Sequence, residues 1–294
     1  IRALRQVGAS LSVADGRLSV KAPKGAVDST MREALRRHRS QLLAMLQSAE
    51  ASRQESPIPH LDRQHAPLSL AQERIWLFQE LEEDSTAYNL TPVVRVTGPL
   101  DVGRLEEALF HLVKRHAPLR TRVVEDEGPV QRTGPSAEVP VRQVDLSSLE
   151  AEEQETRFRE VVDAQQSTPF DVAHDLPLRV TLVRRGSESH DLLATFHHLA
   201  VDGLSLQIFF RDLLDLYEGR NPTPLPVTYL DFAEWQRKRW GDPEVAGPAL
   251  EFWRSQLEGA PEVLELPTDH HRGARSSYRG GLAETLLEAD ASSE

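Results

Sequence analysis

From residue 68 onward the apolar positions alternate between two periods. Stretches that repeat every three to four residues read as helices, and stretches that alternate or run unbroken read as strands. "SLAQERIWLFQELEE" is a helix with Ser69 placed to cap it. "TPVVRVTG" is a strand. "DVGRLEEALFHLVKRH" is an amphipathic helix behind Asp101, and "LRTRVVEDEGPVQRTG" is a hairpin turning at Glu127-Gly128. "SSLEAEEQETRFREVVDAQQ" is a long helix. "PLRVTLVRRGSESHDLLATFHH" gives two strands joined by "RGSES". "LSLQIFFRDLLDLYEG" is a helix with Leu206, Phe209, Phe210, Leu213 and Leu216 on one face. No internal repeat is visible. The order predicts an α+β fold, a mixed sheet with flanking helices.

The first fifty residues follow a different rhythm. "IRALRQVGA" reads as a helix closed by Gly8. "SLSVADGRLSVKAP" alternates about Asp15-Gly16, a tight-turn pair, so a hairpin is expected with Leu18 and Val20 inward and Arg17 and Lys21 outward. "DSTMREALRRHRSQLLAMLQ" supplies further helix, capped by Asp28 or Ser29, with Leu35, Leu42, Leu43 and Leu46 on its apolar stripe. Polar, proline-bearing sequence without periodicity then reads as a linker over 51–66. The expected organisation is a small α-β-β-α-α domain at 1–50, the linker, and a larger domain over 67–294.

Charge sharpens that division. The whole chain of 294 residues carries −12. Residues 1–50 hold nine basic and four acidic side chains, +5, while the remainder holds 25 and 42, −17. A basic head on an acidic body implies two domains with different partners. No nucleic-acid motif accompanies the basic charge, which suits an acidic peptide. The chain has no cysteine, which excludes disulfides, thiolate metal sites and cysteine nucleophiles. No run is long and apolar enough for a membrane span, so no membrane partner and a cytoplasmic location are expected.

The stretch "FHHLAVDG" carries the candidate chemistry. His197 ends an apolar strand and Gly203 opens a helix. Neighbouring strand residues point to opposite faces, so the two imidazoles have different tasks. Both can be structural. Metal binding is disfavoured, since the helical i, i+4 spacing is missing and no cysteine is near. Alternatively one ring serves as a general base, since imidazole titrates near ~6.5 and accepts a proton at neutral pH. In that case Asp202 would hold the loop by an ion pair, and Gly203 would open backbone amides at the helix N-terminus to an oxyanion.

"HHLAVDG" resembles the HHxxxDG signature of nonribosomal peptide synthetase condensation domains, which are similar in fold to chloramphenicol acetyltransferase. "SLAQERIWLFQEL", "RHAPLRTRV", "YLDFAEW" and "FWRSQLEGAPEVLELPTD" resemble four further family segments in the right order. Ala117 stands where the family usually has Glu. Helix, then hairpin with "RLSVKAPKGA", then two helices is similar to the N-terminal β-hairpin docking domains of the tubulysin-synthetase type.

The resemblance implies a docking domain followed by one lobe of a condensation domain, a chloramphenicol-acetyltransferase-like α/β sandwich, with the second lobe missing after Glu294. It implies an acyltransferase reaction: the amine of a carrier-bound aminoacyl thioester attacks an upstream carrier-bound acyl thioester. His198 is expected to position or deprotonate the amine, with His197 and Gly203 supporting it. Asp202 is expected to pair with Arg115, and Arg120 to lend further structural support. Trp235 is expected in the core. No metal and no directly bound cofactor are expected, the substrates arriving on the phosphopantetheine arms of upstream and downstream carrier domains. The head is expected to capture the acidic C-terminal tail of an upstream synthetase polypeptide through Arg17, Lys21 and Lys24. The fragment alone is expected to be inactive. An epimerisation domain, a coenzyme A-dependent acyltransferase and a silent interaction platform are the alternatives.

Overall fold

The computed structural model describes residues 10–14, 17–23, 26, 28–43, 58–82, 84–136, 138–261, 263 and 267–269. The chain divides into two compact units, Ile1–Pro57 and Ile58–Glu294.

In the first unit β1 (Ser10–Ala14) and β2 (Arg17–Lys21) form an antiparallel pair in the register Ser10↔Lys21 to Ala14↔Arg17. The hairpin is as expected, although its Asp15-Gly16 turn and Lys24 lie outside the described residues, and so does the expected helix ending at Gly8. Val20 is 39% exposed rather than inward, and Leu18 is half-buried. Helix α1 (Ser29–Arg37) starts behind Asp28, whose carboxylate accepts the Met31 N–H at 2.7 Å. That bond satisfies one of the helix's orphan donors, which is why the chain turns helical there.

The second unit begins earlier than the polar composition of 51–66 suggests. Leu61 N donates to Asp231 at 2.9 Å and His60 Nδ1 lies 3.1 Å from the same carboxylate. Residues His65–Pro67 form β3, too short for any alternation to be legible. Next come α2 (Leu70–Leu81), β4 (Asn89–Leu90), β5 (Val93–Thr97), α3 (Val102–Arg115) and a 3-10 turn at Ala117–Arg120. The hairpin β6 (Thr121–Glu125) and β7 (Pro129–Thr133) pairs with β3 in a three-stranded sheet. Glu127 and Gly128 occupy its turn at φ 56° and 127°, a left-handed excursion that glycine makes without strain.

The main sheet comes from β8 (Val141–Asp145), β9 (Leu178–Gly186) and β10 (Ser189–His197), with α4 (Ala151–Gln166) between β8 and β9. The β8–β9 pair is parallel; β10 is antiparallel to β9 and, along its other edge, to β4 and β5. A mixed sheet results, as expected. Helices α5 (Gly203–Tyr217), α6 (Tyr229–Trp240) and α7 (Pro243–Leu257) follow.

Strand β10 is central and buried on both faces. Leu192, Ala194 and Phe196 join the core shared with Leu105, Leu109 and Leu112 of α3 and Phe209 and Leu213 of α5. Leu193 faces the other way, toward Phe158 and Val162 of α4. The apolar faces of α3 and α5 therefore roof one side of the sheet and α4 the other. That division decides where each of the two histidines points.

Candidate functional site

His197 closes β10 on the α4 side and is 1% exposed. The Leu199 N–H donates to its Nδ1 at 3.3 Å, which leaves the proton on Nε2, 3.4 Å from Gln79 Oε1. Phe170 meets the ring edge-on at 5.9 Å between centroids. Burial pushes its pKa down to about 4, with the neighbouring His198 and Arg179 adding to the shift. His197 is therefore neutral at pH 7. It borders a void of about 20 Å³.

His198 is one residue past the strand and points the other way. Its backbone N–H donates to the Tyr88 carbonyl at 2.9 Å, which fixes the chain. Tyr88 stands edge-on to the imidazole at 6.1 Å. The ring itself makes no hydrogen bond among the described residues. It is half-buried in the wall of a cleft of about 510 Å³ whose lining includes Tyr88, His116, Asp202, Ser205, Ile208 and Tyr229. The expectation that the two rings divide between faces thus agrees with the geometry.

Helix α2 holds this turn in place. Ser69 caps α2 reciprocally with Gln72, as expected. Gln72 Nε2 donates to the Leu199 carbonyl at 3.1 Å, and Gln79 faces His197. Gln72 and Gln79 are both 5% exposed, so a polar row two turns long is buried against the histidine loop. Local sequence rules do not reveal this row, since polar side chains on a helix ordinarily face water.

Asp202 requires a correction. It does not pair with Arg115. It is the N-cap of α5, accepting from Ser205 N at 2.8 Å and Ser205 Oγ at 2.7 Å. Those bonds hold its carboxyl below the ordinary value, and a backbone bond from Leu204 works in the same direction. The helix-opening amide of Ser205 is thereby engaged by the cap and not left for an oxyanion. Gly203 has an ordinary backbone, and a Cβ built there meets nothing within 4 Å. It does not line the cleft itself but stands between Asp202 and Ser205, which do.

Arg115 binds Asp212 instead, through Nε at 3.0 Å. The same carboxylate receives His116 Nε2 at 2.9 Å and Arg211 at 2.7 Å. Asp212 is 1% exposed; burial pushes its carboxyl up, but hydrogen bonds from Arg211, His116 and Arg115 outweigh this and hold it low. Burial lowers His116, with Asp212 opposing, so this cleft-lining imidazole is neutral at pH 7. The physical reason for the exchanged partner is length along the helix. Arg115 ends α3, which packs on the middle of α5, while Asp202 lies at its start. Arg120 donates from Nε to the Val113 carbonyl at 3.2 Å and from Nη1 to the Gly134 carbonyl, tying α3 to the end of β7.

Two cleft residues escaped the sequence reading of roles. Tyr229, the first residue of α6, meets Ser69 Oγ through its hydroxyl at 2.9 Å. Burial raises its pKa; the Ser69 bond opposes this and the charge of Asp202 reinforces it. His116 was legible only as half of an Arg-His pair. Trp235, expected in the core, is half-buried under the Arg239 guanidinium, 5.5 Å from its ring centroid. Lys21 is exposed on β2 of the other unit. Among the described residues no group of three or more His, Asp or Glu side chains is arranged for a metal ion, and no helix is long and apolar enough to cross a membrane.

Comparison with known proteins places this geometry. Residues 1–48 match the TubC N-terminal docking domain, and residues 62–294 match the condensation domain. One polypeptide of the linear gramicidin synthase of Brevibacillus parabrevis is 35% identical over 249 residues, covering 82% of this chain and 3% of that protein. The chondramide synthase cmdD of Chondromyces crocatus is 35% identical over 231 residues, 76% of this chain and 6% of that protein. Among solved structures, the EpoB NRPS cyclization-docking bidomain from Sorangium cellulosum superposes with a TM-score of 0.64 at 25% identity, over 92% of this chain and 54% of that one.

Proposed function

The chain belongs to the condensation-domain family, and on that premise we propose that it forms amide bonds between substrates carried by neighbouring modules of a nonribosomal peptide assembly line. The chain spans only a few per cent of the length of the synthetases it matches, so this reading concerns the intact protein.

One observation carries it: an imidazole with no hydrogen-bond partner among the described residues, set in the wall of a cleft at the end of a rigid buried strand. A neutral imidazole has one nitrogen that accepts a hydrogen bond and a proton. An amine that attacks a thioester must shed a proton as the N–C bond forms. His198 accepts that proton, or holds the amine by it. The C–S bond then breaks and the thiolate leaves as a thiol, taking up one proton. His197 is locked in the core as a neutral ring and holds the turn. Asp202 caps α5 and so fixes the cleft wall. Arg115 and Arg120 act at a distance, through Asp212 and through the α3–β7 connection. The substrates arrive on phosphopantetheine arms of the carrier domains.

We assign the first unit to capture of an acidic C-terminal tail from an upstream synthetase polypeptide. A two-stranded hairpin offers main-chain pairing along its edge to an extended peptide. The exposed Lys21 on β2 and Arg36 and Arg37 in the last turn of α1 supply charge of the right sign. Arg17 belongs to the same strand, and Lys24 follows it in sequence.

The test is reconstitution. The intact synthetase is supplied with loaded upstream and downstream carriers and single-turnover amide formation is followed. His198→Ala is expected to slow the step by about 10²-fold or more, the usual scale for acid–base groups. A synthetic copy of the upstream tail should compete with docking, more weakly at high salt. Full-rate amide formation by His198→Ala would reject the role of His198.

A further inference from the structure

Around the cleft one hydroxyl proton has no acceptor among the described residues. Ser69 is 0% exposed, and its Oγ accepts the Gln72 N–H at 3.2 Å. Its own hydroxyl proton has a single acceptor within reach among the described residues, Tyr229 Oη at 2.9 Å. If Tyr229 donated to Ser69, the serine proton would be buried without an acceptor, at a cost of about 1–3 kcal/mol. Ser69 therefore donates and Tyr229 accepts. The phenolic proton of Tyr229 then has no acceptor among the described residues. Tyr229 lines the same cleft as His198.

We propose that Tyr229 is the hydrogen-bond donor that receives the carbonyl oxygen of the acyl thioester in the His198 cleft and stabilises its negative charge as the amine attacks. The inference rests on the amide-forming reading above. The complementarity is chemical. The attacking amine is a donor and needs an acceptor, which is the open imidazole. The carbonyl is an acceptor and needs a donor, which is the open phenol. The start of α5 is less well placed to serve, because Asp202 already takes the Ser205 amide and sets its own negative charge there. Tyr229 also keeps its proton, since its burial and the nearby Asp202 charge both disfavour the phenolate. The donor is held before the substrate arrives, by Ser69 on one side and by the Phe232 ring at 5.3 Å on the other. A pre-positioned donor of this kind needs no reorganisation as charge develops.

The experiment uses the intact synthetase with loaded upstream and downstream carriers. Tyr229→Phe keeps the ring and removes only the hydroxyl. Single-turnover amide formation should fall by about 10²–10³-fold, the scale for losing one oxyanion donor. The melting temperature should also drop, because the buried Ser69 hydroxyl loses its acceptor, so the rates are compared at a temperature where both proteins are fully folded. Fluorinated tyrosines placed at position 229 add a readout that a structural role does not move. As the phenol becomes more acidic, the alkaline limb of the pH–rate profile should shift down with it. Wild-type amide formation together with an undiminished Tyr229→Phe rate, or an alkaline limb indifferent to fluorination, overturns the assignment of Tyr229 alone. No amide from the wild-type synthetase overturns the amide-forming reading itself, and this inference with it.

Discussion

Around the start of α5, His198 and Tyr229 each keep a hydrogen-bonding capacity that no described protein group takes up, whereas ten residues along the same helix Asp212 takes three partners, Arg115, His116 and Arg211. At a rise of about 1.5 Å per residue, the two regions are about 15 Å apart along the axis. Both contain an aspartate, a histidine and nearby hydroxyl or cationic groups. One commits its polar groups to the fold and the other leaves them open to a cleft. Composition does not separate a structural polar cluster from a candidate active site; free bonding capacity facing a cavity does.

The comparison breaks if the two aspartates prove equivalent. Asp212→Ala should be the most damaging change. It leaves Arg115 and His116 half-buried without their shared carboxylate, a loss of about 3–5 kcal/mol by the usual cost of breaking a buried pair. Asp202→Ala removes a helix cap and should cost only about 1 kcal/mol. Chemical denaturation of the two variants against the wild type measures both. Equal losses would mean that Asp202 has a hidden partner and that the division drawn along α5 is wrong.

Between those two falls an effect of acid. His197 has its pKa lowered to about 4 in the folded chain, while an unfolded histidine titrates near ~6.5. Between those two values the unfolded chain binds the extra proton, so stability is full above the unfolded value and falls as pH drops. The slope approaches ~1.4 kcal/mol per pH unit, or about 2 kcal/mol between pH 6.5 and 5. His116 is lowered as well and adds with the same sign. His197→Gln should flatten this limb without abolishing it. The carboxylates held low lose their stabilisation only at still lower pH. A wild-type stability that stays level from pH 6.5 to 5 would show that His197 is not locked in the core.

Much of this was legible in the chain. Helices α2 to α5 and the long strands β9 and β10 stood out because their apolar spacing is regular, and Ser69, Asp101 and the Glu127-Gly128 turn are all where local rules put them. The division of the two histidines between faces followed from the pleat alone. Short strands did not show. Strand β3 has three residues and β4 two, and β8, with an exposed outer edge, carries too few apolar positions to alternate. The partner of Asp202 was misassigned because an aspartate before a helix satisfies either a cap or an ion pair, and only the position of α3 along α5 decides between them. Tyr229 and the Gln72–Gln79 row were invisible for the same reason, since their roles depend on contacts between segments more than 100 residues apart.

The most direct test of the account is the reactivity of the two adjacent rings. Treating the chain with diethyl pyrocarbonate near neutral pH and mapping the modified imidazoles by peptide fragmentation compares them within one molecule. Both rings react only when neutral and reachable. The account predicts that His198 is modified about tenfold faster than His197 or more, since His197 reacts only through local opening of the sheet. Modification of His197 at the rate of His198 would contradict it, because the structural ring and the open ring would then be one and the same environment.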